Sequence, residues 1–110
     1  MISWADFEKL DLRVATILTA EPFPQARKKA YKLVLDFGAG LGLKTSSAQI
    51  TERYTAAELE GKQVIAVVNF PPKQIATFIS ECLVLGIYTE DNSVVLLQPQ
   101  QTVTNGLKIG

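Results

Sequence analysis

The sequence predicts a mainly β domain: five strands closed into a small barrel, with a short helix at the start and another between the third and fourth strands. Three observations carry this. Tyr31, Leu33, Leu35 and Phe37 alternate with Lys32, Val34 and Asp36, the period of a half-buried strand. Residues 64–68 form a short, strongly apolar run that stops at Asn69. Between them, Thr55 and Glu58 have the spacing of a helix-starting capping box.

Each element has a local reason. Ser3 is a good N-cap with Asp6 three residues on, and Ile2 and Phe7 have the spacing of a hydrophobic staple, so a helix is expected over residues 4–10. Trp4, Phe7 and Leu10 lie near one face of it. A helix this short is marginal alone, so that face must pack on its own sheet or on a second subunit. Residues 12–20 alternate loosely and read as a first strand, ended by Glu21-Pro22-Phe23-Pro24. The second strand follows Arg27-Lys28-Lys29, and Gly38-Ala39-Gly40-Leu41-Gly42 turns into a third, residues 43–50, rich in small hydroxyls. The second helix starts at Thr55, has a staple in Tyr54 and Leu59, and stops at Gly61. Residues 62–69 make the fourth strand, 82–87 the fifth and 94–97 a further short one, with Asp91-Asn92-Ser93 turning between the last two. An oligonucleotide-binding (OB) five-stranded barrel carries its helix in that same place, between strands three and four.

One hundred and ten residues suffice for a single core. We expect one domain over residues 1–110, with the helix in 1–10, the barrel in 11–98 and a C-terminal segment in 99–110. No apolar run approaches the ~20 residues of a membrane span, and the N-terminus has no signal-peptide pattern, so no membrane insertion and a cytoplasmic location are expected. The single cysteine, Cys82, sits in a hydrophobic run and reads as a buried, inert thiol. There is no histidine. That removes the usual general base, the commonest metal ligand and the Ser-His or Cys-His nucleophile pairs. We expect no catalytic residues, no metal and no cofactor.

The charges sum to zero but are segregated. Residues 1–21 carry four acids and two bases, 22–80 eight bases and four acids, and 81–110 three acids and one base. The middle is thus +4 and each end −2, and local potential rather than net charge steers an anionic ligand. Within the middle, Arg27, Lys28 and Lys29 stand beside Tyr31; Lys44 precedes the hydroxyls of Ser46 and Ser47. The connector from Asn69 to Ser80 holds Phe70, Lys73 and Phe78, has two prolines and no acid, and is long for a mere link. Cations, hydroxyls, an amide and rim aromatics suit single-stranded nucleic acid. They equally suit a groove for an extended peptide of basic and apolar character.

The stretches from Asp6 to Ile17 and Tyr31 to Gly38, with Gly61-Lys62-Gln63-Val64, Asn69-Phe70-Pro71-Pro72 and Ser80-Glu81-Cys82-Leu83-Val84-Leu85-Gly86, resemble the EMAPII-type tRNA-binding domain family. Within that family, residues 44–51 and 69–76 are most similar to the stand-alone CsaA-type secretion chaperones. The resemblance implies an OB fold and a homodimer. It implies tRNA as a partner through the wider family, and unfolded or pre-secretory polypeptides, with secretion-machinery components, through the chaperone branch. It places ligand contacts at Lys44, Ser46, Asn69 and Ser80. Residues 99–110 become a dimerisation segment, with Val103, Leu107 and Ile109 joining Trp4, Phe7 and Leu10 in the interface. Two departures stand out: Ala15 where the family favours glycine, and Glu81-Cys82 where it favours Gly-Met. A carboxylate beside Ser80 repels phosphate if it faces the groove, which fits the chaperone branch better. The expected function is therefore an export-related chaperone with residual tRNA binding. It has no P-loop, and so no release by its own nucleotide hydrolysis. The alternatives are a structure-directed tRNA or RNA binder and a module docking on a larger synthetase-like or secretion partner.

Overall fold

The computed structural model describes residues 1–110. Helix α1 (Trp4–Glu8) is followed by strands β1 (Leu12–Pro22) and β2 (Tyr31–Asp36), a single turn α2 (Gly38–Leu41), β3 (Leu43–Ala48), α3 (Ala56–Leu59) and β4 (Gln63–Val67). Then come β5 (Lys73–Ile75), β6 (Phe78–Ser80), β7 (Leu83–Val84), β8 (Gly86–Tyr88) and β9 (Val94–Leu96). The main sheet runs β3-β2-β1-β4-β7, all antiparallel, with β5-β6 and β8-β9 as separate hairpins. The result is an OB-type barrel, nearly closed.

Both capping boxes form as their spacing predicts: Ser3 with Asp6 on α1, and Thr55 with Glu58 on α3. Each gives the first-turn N–H groups a partner that the helix itself lacks. Gly61 ends α3's segment at φ +90, a conformation open to glycine, and its N–H donates to the Ile17 carbonyl at 2.8 Å, tying the helix to β1. Leu59 beneath it is fully buried. The core is the inward row of the sheet: Ala15, Ile17, Leu33, Leu35, Phe37, Val64 and Ala66, with Ile50, Cys82 and Leu96 closing it. The pairing of β1 with β2 shifts register between Ile17 and Thr19, and Leu18 lies exposed there. Such an extra residue bends a strand and raises its twist, as a closing barrel needs.

Two elements differ from the sequence reading. The connector from Asn69 to Ser80 is a β-hairpin, β5-β6, turning at Ala76 and Thr77. Ala76 takes φ 54, which an alanine rarely adopts. The expected fifth strand is divided at Leu85: its N–H donates to Ile65 on β4, while its carbonyl accepts from Leu97 beside β9. The chain thereby passes from the barrel into the β8-β9 hairpin. Residues at the C-terminus then return to β1, where the Gly106 N–H and Leu107 carbonyl pair with Val14 and the Ile109 N–H with Leu12. No helix is long and apolar enough to cross a membrane.

Candidate ligand groove and its basic rim

The barrel seam lies between β3 and the segment 79–82, and side chains close it. The Thr45 N–H and hydroxyl point to Glu81 Oε1 at 3.0 and 2.9 Å, and the hydroxyl also reaches the Ile79 carbonyl at 2.7 Å. The Glu81 N–H donates to the Thr45 carbonyl at 2.8 Å. Ser80 Oγ accepts from the Ser47 N–H at 3.0 Å, and the Ser46 hydroxyl donates to the Cys82 carbonyl at 3.0 Å. The hydroxyls of Thr45 and Ser46 thus serve the fold: they satisfy backbone groups that a regular ladder would otherwise pair. Hydrogen bonds from the Thr45 main chain and hydroxyl, with the Lys44 charge nearby, hold the Glu81 carboxyl below its ordinary pKa. One carboxylate oxygen is thus engaged by β3, while Glu81 also lines the groove described next.

Beside the seam opens a groove of about 530 Å³, within the usual size of a ligand site. Ser47, Gln49 and Ile50 form one wall, Phe70, Pro71, Lys73 and Ile75 a second, and Leu83, Val84, Gly86 and Tyr88 the third. Phe70, Leu83 and Tyr88 are exposed, Tyr88 the most at 84%. The only lining charges are Lys73, which has no ion-pair partner, and the engaged Glu81.

Of the residues expected in a binding site, the groove gathers Ser47, Phe70, Lys73 and Ser80. Ser80 is half-buried, with its hydroxyl spent on the seam. Arg27, Lys28 and Lys29 lie exposed on the β1-β2 loop, outside the groove, and Lys44 sits half-buried on β3. The loop joins the hairpin through aromatic contact: Phe23 packs edge-on against Phe78 at 5.4 Å between centroids, and Lys32 Nζ lies 5.6 and 6.0 Å from the two rings. Lys32 also pairs with Glu21 at 3.3 Å. Phe78 is thus the contact between hairpin tip and basic loop.

One expectation is corrected, and two further residues are tied into the fold. Ser46 is 1% exposed and cannot touch a ligand, because its place on β3 points into the core. Tyr31 is half-buried against the core, its hydroxyl donating to the Tyr54 carbonyl at 2.7 Å, and Tyr54 Oη in turn accepts from the Leu96 N–H. Asn69 spends its amide on α1, accepting from the Asp11 N–H at 3.0 Å and donating to the Lys9 carbonyl at 2.7 Å. Sequence reasoning missed Leu83 and Tyr88 because it read residues 82–87 as one continuous fifth strand; Leu83, Gly86, Ile87 and Tyr88 lie exposed around the break at Leu85. Cys82 is buried, and burial pushes its thiol pKa up to about 12, an unreactive group.

Away from the groove, Trp4 is 81% and Leu107 51% exposed, Leu10 and Val103 are exposed, and Phe7 and Ile109 are half-buried. Asn69 anchors the end of α1 and residues 106–109 pair along β1, so both segments lie at the start of that strand.

A family model described as "Putative tRNA binding domain" matches residues 12–108. Among curated proteins, the chain is 35% identical over 108 residues to the methionine–tRNA ligase of Porphyromonas gingivalis, covering 98% of this chain and 15% of that protein. The chain spans about 15% of the length of the curated relatives it matches. Among solved structures, the chaperone CsaA from Bacillus anthracis is 54% identical with TM-score 0.94, over 100% of this chain and 99% of that one. The CsaA chaperone protein from Picrophilus torridus is likewise 54% identical with TM-score 0.94, over the whole of both chains. The MetRS related protein from Pyrococcus horikoshii is 29% identical with TM-score 0.87, over 100% and 98%.

Proposed function

The chain belongs to the tRNA-binding-domain family, and from that premise we propose that it is a CsaA-type holding chaperone: a homodimer that binds unfolded or pre-secretory polypeptides passively in the cytoplasm and keeps a capacity for tRNA. The open, largely apolar groove between β3, the β5-β6 hairpin and β8 carries the reading. Exposed Phe70, Leu83 and Tyr88 offer apolar surface of the kind that marks an interaction site. Likeness along the whole chain to two CsaA chaperones supports the same assignment. With no nucleotide motif in the sequence, occupancy follows mass action: an unfolded segment is held while its concentration exceeds Kd and leaves as it folds or is handed on. Secretion-machinery components would be the recipients. The exposed apolar side chains of α1 and the C-terminal segment form the dimer face, each large side chain contributing about 1.5–3 kcal/mol of gross burial before the costs of association. Two grooves per dimer would add avidity for long chains.

The test is aggregation of a urea-unfolded secretory precursor diluted into buffer, followed by light scattering. Stoichiometric protein slows it, and Leu83→Ser with Tyr88→Ser removes most of the effect. Unchanged aggregation with the wild-type protein would sink the proposal.

The second reading, a structure-directed tRNA or RNA binder, is favoured by the unpaired cations Arg27, Lys28 and Lys29 on the β1-β2 loop, with Lys44 on β3 and Lys73 in the groove as further phosphate contacts. It predicts affinity for tRNA that falls steeply with salt. Salt-insensitive affinity would count against phosphate contacts.

A further inference from the structure

The groove is bordered by unpaired main chain as well as by apolar side chains. In the β8-β9 hairpin, Ile87 faces Val95, and bonds from Leu97 N–H to the Leu85 carbonyl and from Thr89 N–H to the Ser93 carbonyl fix the phase of the ladder. Antiparallel pairs alternate between bonded and non-bonded, so residues 85, 87 and 89 spend main-chain groups on β9. Gly86 and Tyr88 therefore turn theirs the other way. No strand lies on that side, since β8 pairs with β9 alone. Both residues line the groove. Across it, the outward edge of β3 is occupied at Thr45 by Glu81 and at Ser47 N–H by Ser80 Oγ. The edge is open again at Gln49, whose main chain makes no hydrogen bond and which also lines the groove. Natural proteins usually cover or charge such an edge. Here neither Gly86 nor Tyr88 is charged, and the glycine presents no side chain in front of its amide.

We propose that the groove takes its polypeptide as an added β-strand on the open edge of β8, hydrogen-bonded to the main-chain N–H and C=O of Gly86 and Tyr88. This rests on the holding-chaperone reading and names its substrate class: extended segments recognised by backbone, with alternate apolar side chains resting on Phe70, Leu83 and the Tyr88 ring. Main-chain recognition is indifferent to sequence, as a holder of many different chains requires. The added strand lies about 4.8 Å from β8. The groove's two charges, Lys73 and Glu81, are of opposite sign, so uncharged segments are expected to suit it best.

The probe is a nine-residue peptide of alternating Val and Thr, blocked at both ends and carrying a fluorophore, measured by anisotropy and by amide exchange with NMR readout. Its partner has the four central amides N-methylated, which removes donors along both edges but leaves the side chains in place. A third peptide has the same composition in shuffled order. N-methylation is expected to weaken binding at least tenfold and shuffling less than threefold. Saturating unmodified peptide is expected to slow exchange at Gly86 and Tyr88 at least tenfold, with Ile87, already bonded to Val95, unchanged. Equal affinity for the methylated peptide, or unmoved exchange at Gly86 and Tyr88, overturns the proposal. So does full protection of those two amides before peptide is added, which would mean that a second copy of the chain fills the edge. Aggregation of the unfolded precursor is followed in parallel. Suppression with unmoved edge amides leaves the holding reading standing and removes this one; no suppression and no peptide binding removes both.

Discussion

Glu81 offers the sharpest division between a ligand-facing charge and a structural one. Truncating it to alanine removes the acceptor of the Thr45 N–H at 3.0 Å; the Thr45 hydroxyl keeps its second partner, the Ile79 carbonyl at 2.7 Å. One bond to a charged acceptor is therefore lost outright. Such bonds contribute roughly 1.5–3 kcal/mol, and an N–H left unsatisfied costs about 1–3 kcal/mol. The seam is half-exposed, so water recovers part of this, and we expect a loss of about 1–2 kcal/mol. With m about 2 kcal/mol/M in urea for a small domain, the midpoint falls by roughly 0.5–1 M. Glu81→Gln keeps an oxygen in place and is expected to recover about half of the loss. Amide exchange should rise at residues 73–81 and on β3, and stay unchanged on β4. The experiment is equilibrium urea unfolding by Trp4 fluorescence and far-ultraviolet dichroism, with exchange by NMR. If both variants match the wild-type midpoint and instead bind tRNA more tightly, Glu81 is a repelling charge in the groove and the seam argument is wrong.

Asn69→Ala removes both bonds that anchor α1, so exchange should quicken over residues 4–11 at a cost of about 1–2 kcal/mol, while the barrel amides keep their rates; an unchanged α1 would contradict the anchor. The pH dependence follows from the depressed Glu81 pKa. A folded pKa below the unfolded one contributes stability that is present above about pH 4.3 and lost as pH falls through the folded value, and Asp6 and Asp91 act with the same sign. Urea midpoints should therefore fall on acidification below pH 5, less steeply in Glu81→Gln, and a flat profile would refute the linkage. Replacing Arg27, Lys28 and Lys29 together by alanine should leave the urea midpoint within about 0.5 kcal/mol. It should also reduce the slope of log affinity for tRNA against log salt by about 0.7–0.9 for each phosphate contact removed; an unchanged slope would place the tRNA elsewhere.

The parts of the fold that were legible in the sequence are those whose cause is local. Ser3 with Asp6 and Thr55 with Glu58 satisfy their own helix starts, and the alternation from Tyr31 to Phe37 needs only the pleat of one strand, so both kinds of signal survive without knowledge of the partners. The seam role of β3 was not legible because residue type does not say what a hydroxyl or an edge N–H will meet. For Thr45, Ser46 and Ser47 the partners lie about 33–36 residues further on, and nothing in the local pattern points there. The β5-β6 hairpin was hidden because its turn uses Ala76 in a left-handed conformation where a sequence signal would be glycine or asparagine. The groove itself depends on the division of the last strand at Leu85, a switch of partners between β4 and β9 that apolar composition alone does not reveal.

The central claim is that unfolded polypeptide lies in the groove edged by β8. Site-specific photo-crosslinking tests it most directly. A benzophenone side chain is placed in turn at Phe70, Tyr88, Trp4 and Leu107, and each variant is mixed with the unfolded precursor and irradiated. Crosslinks from positions 70 and 88, competed by excess unlabelled peptide, with none to the precursor from positions 4 and 107, are the result predicted. Crosslinks to the precursor from positions 4 and 107 alone would contradict it.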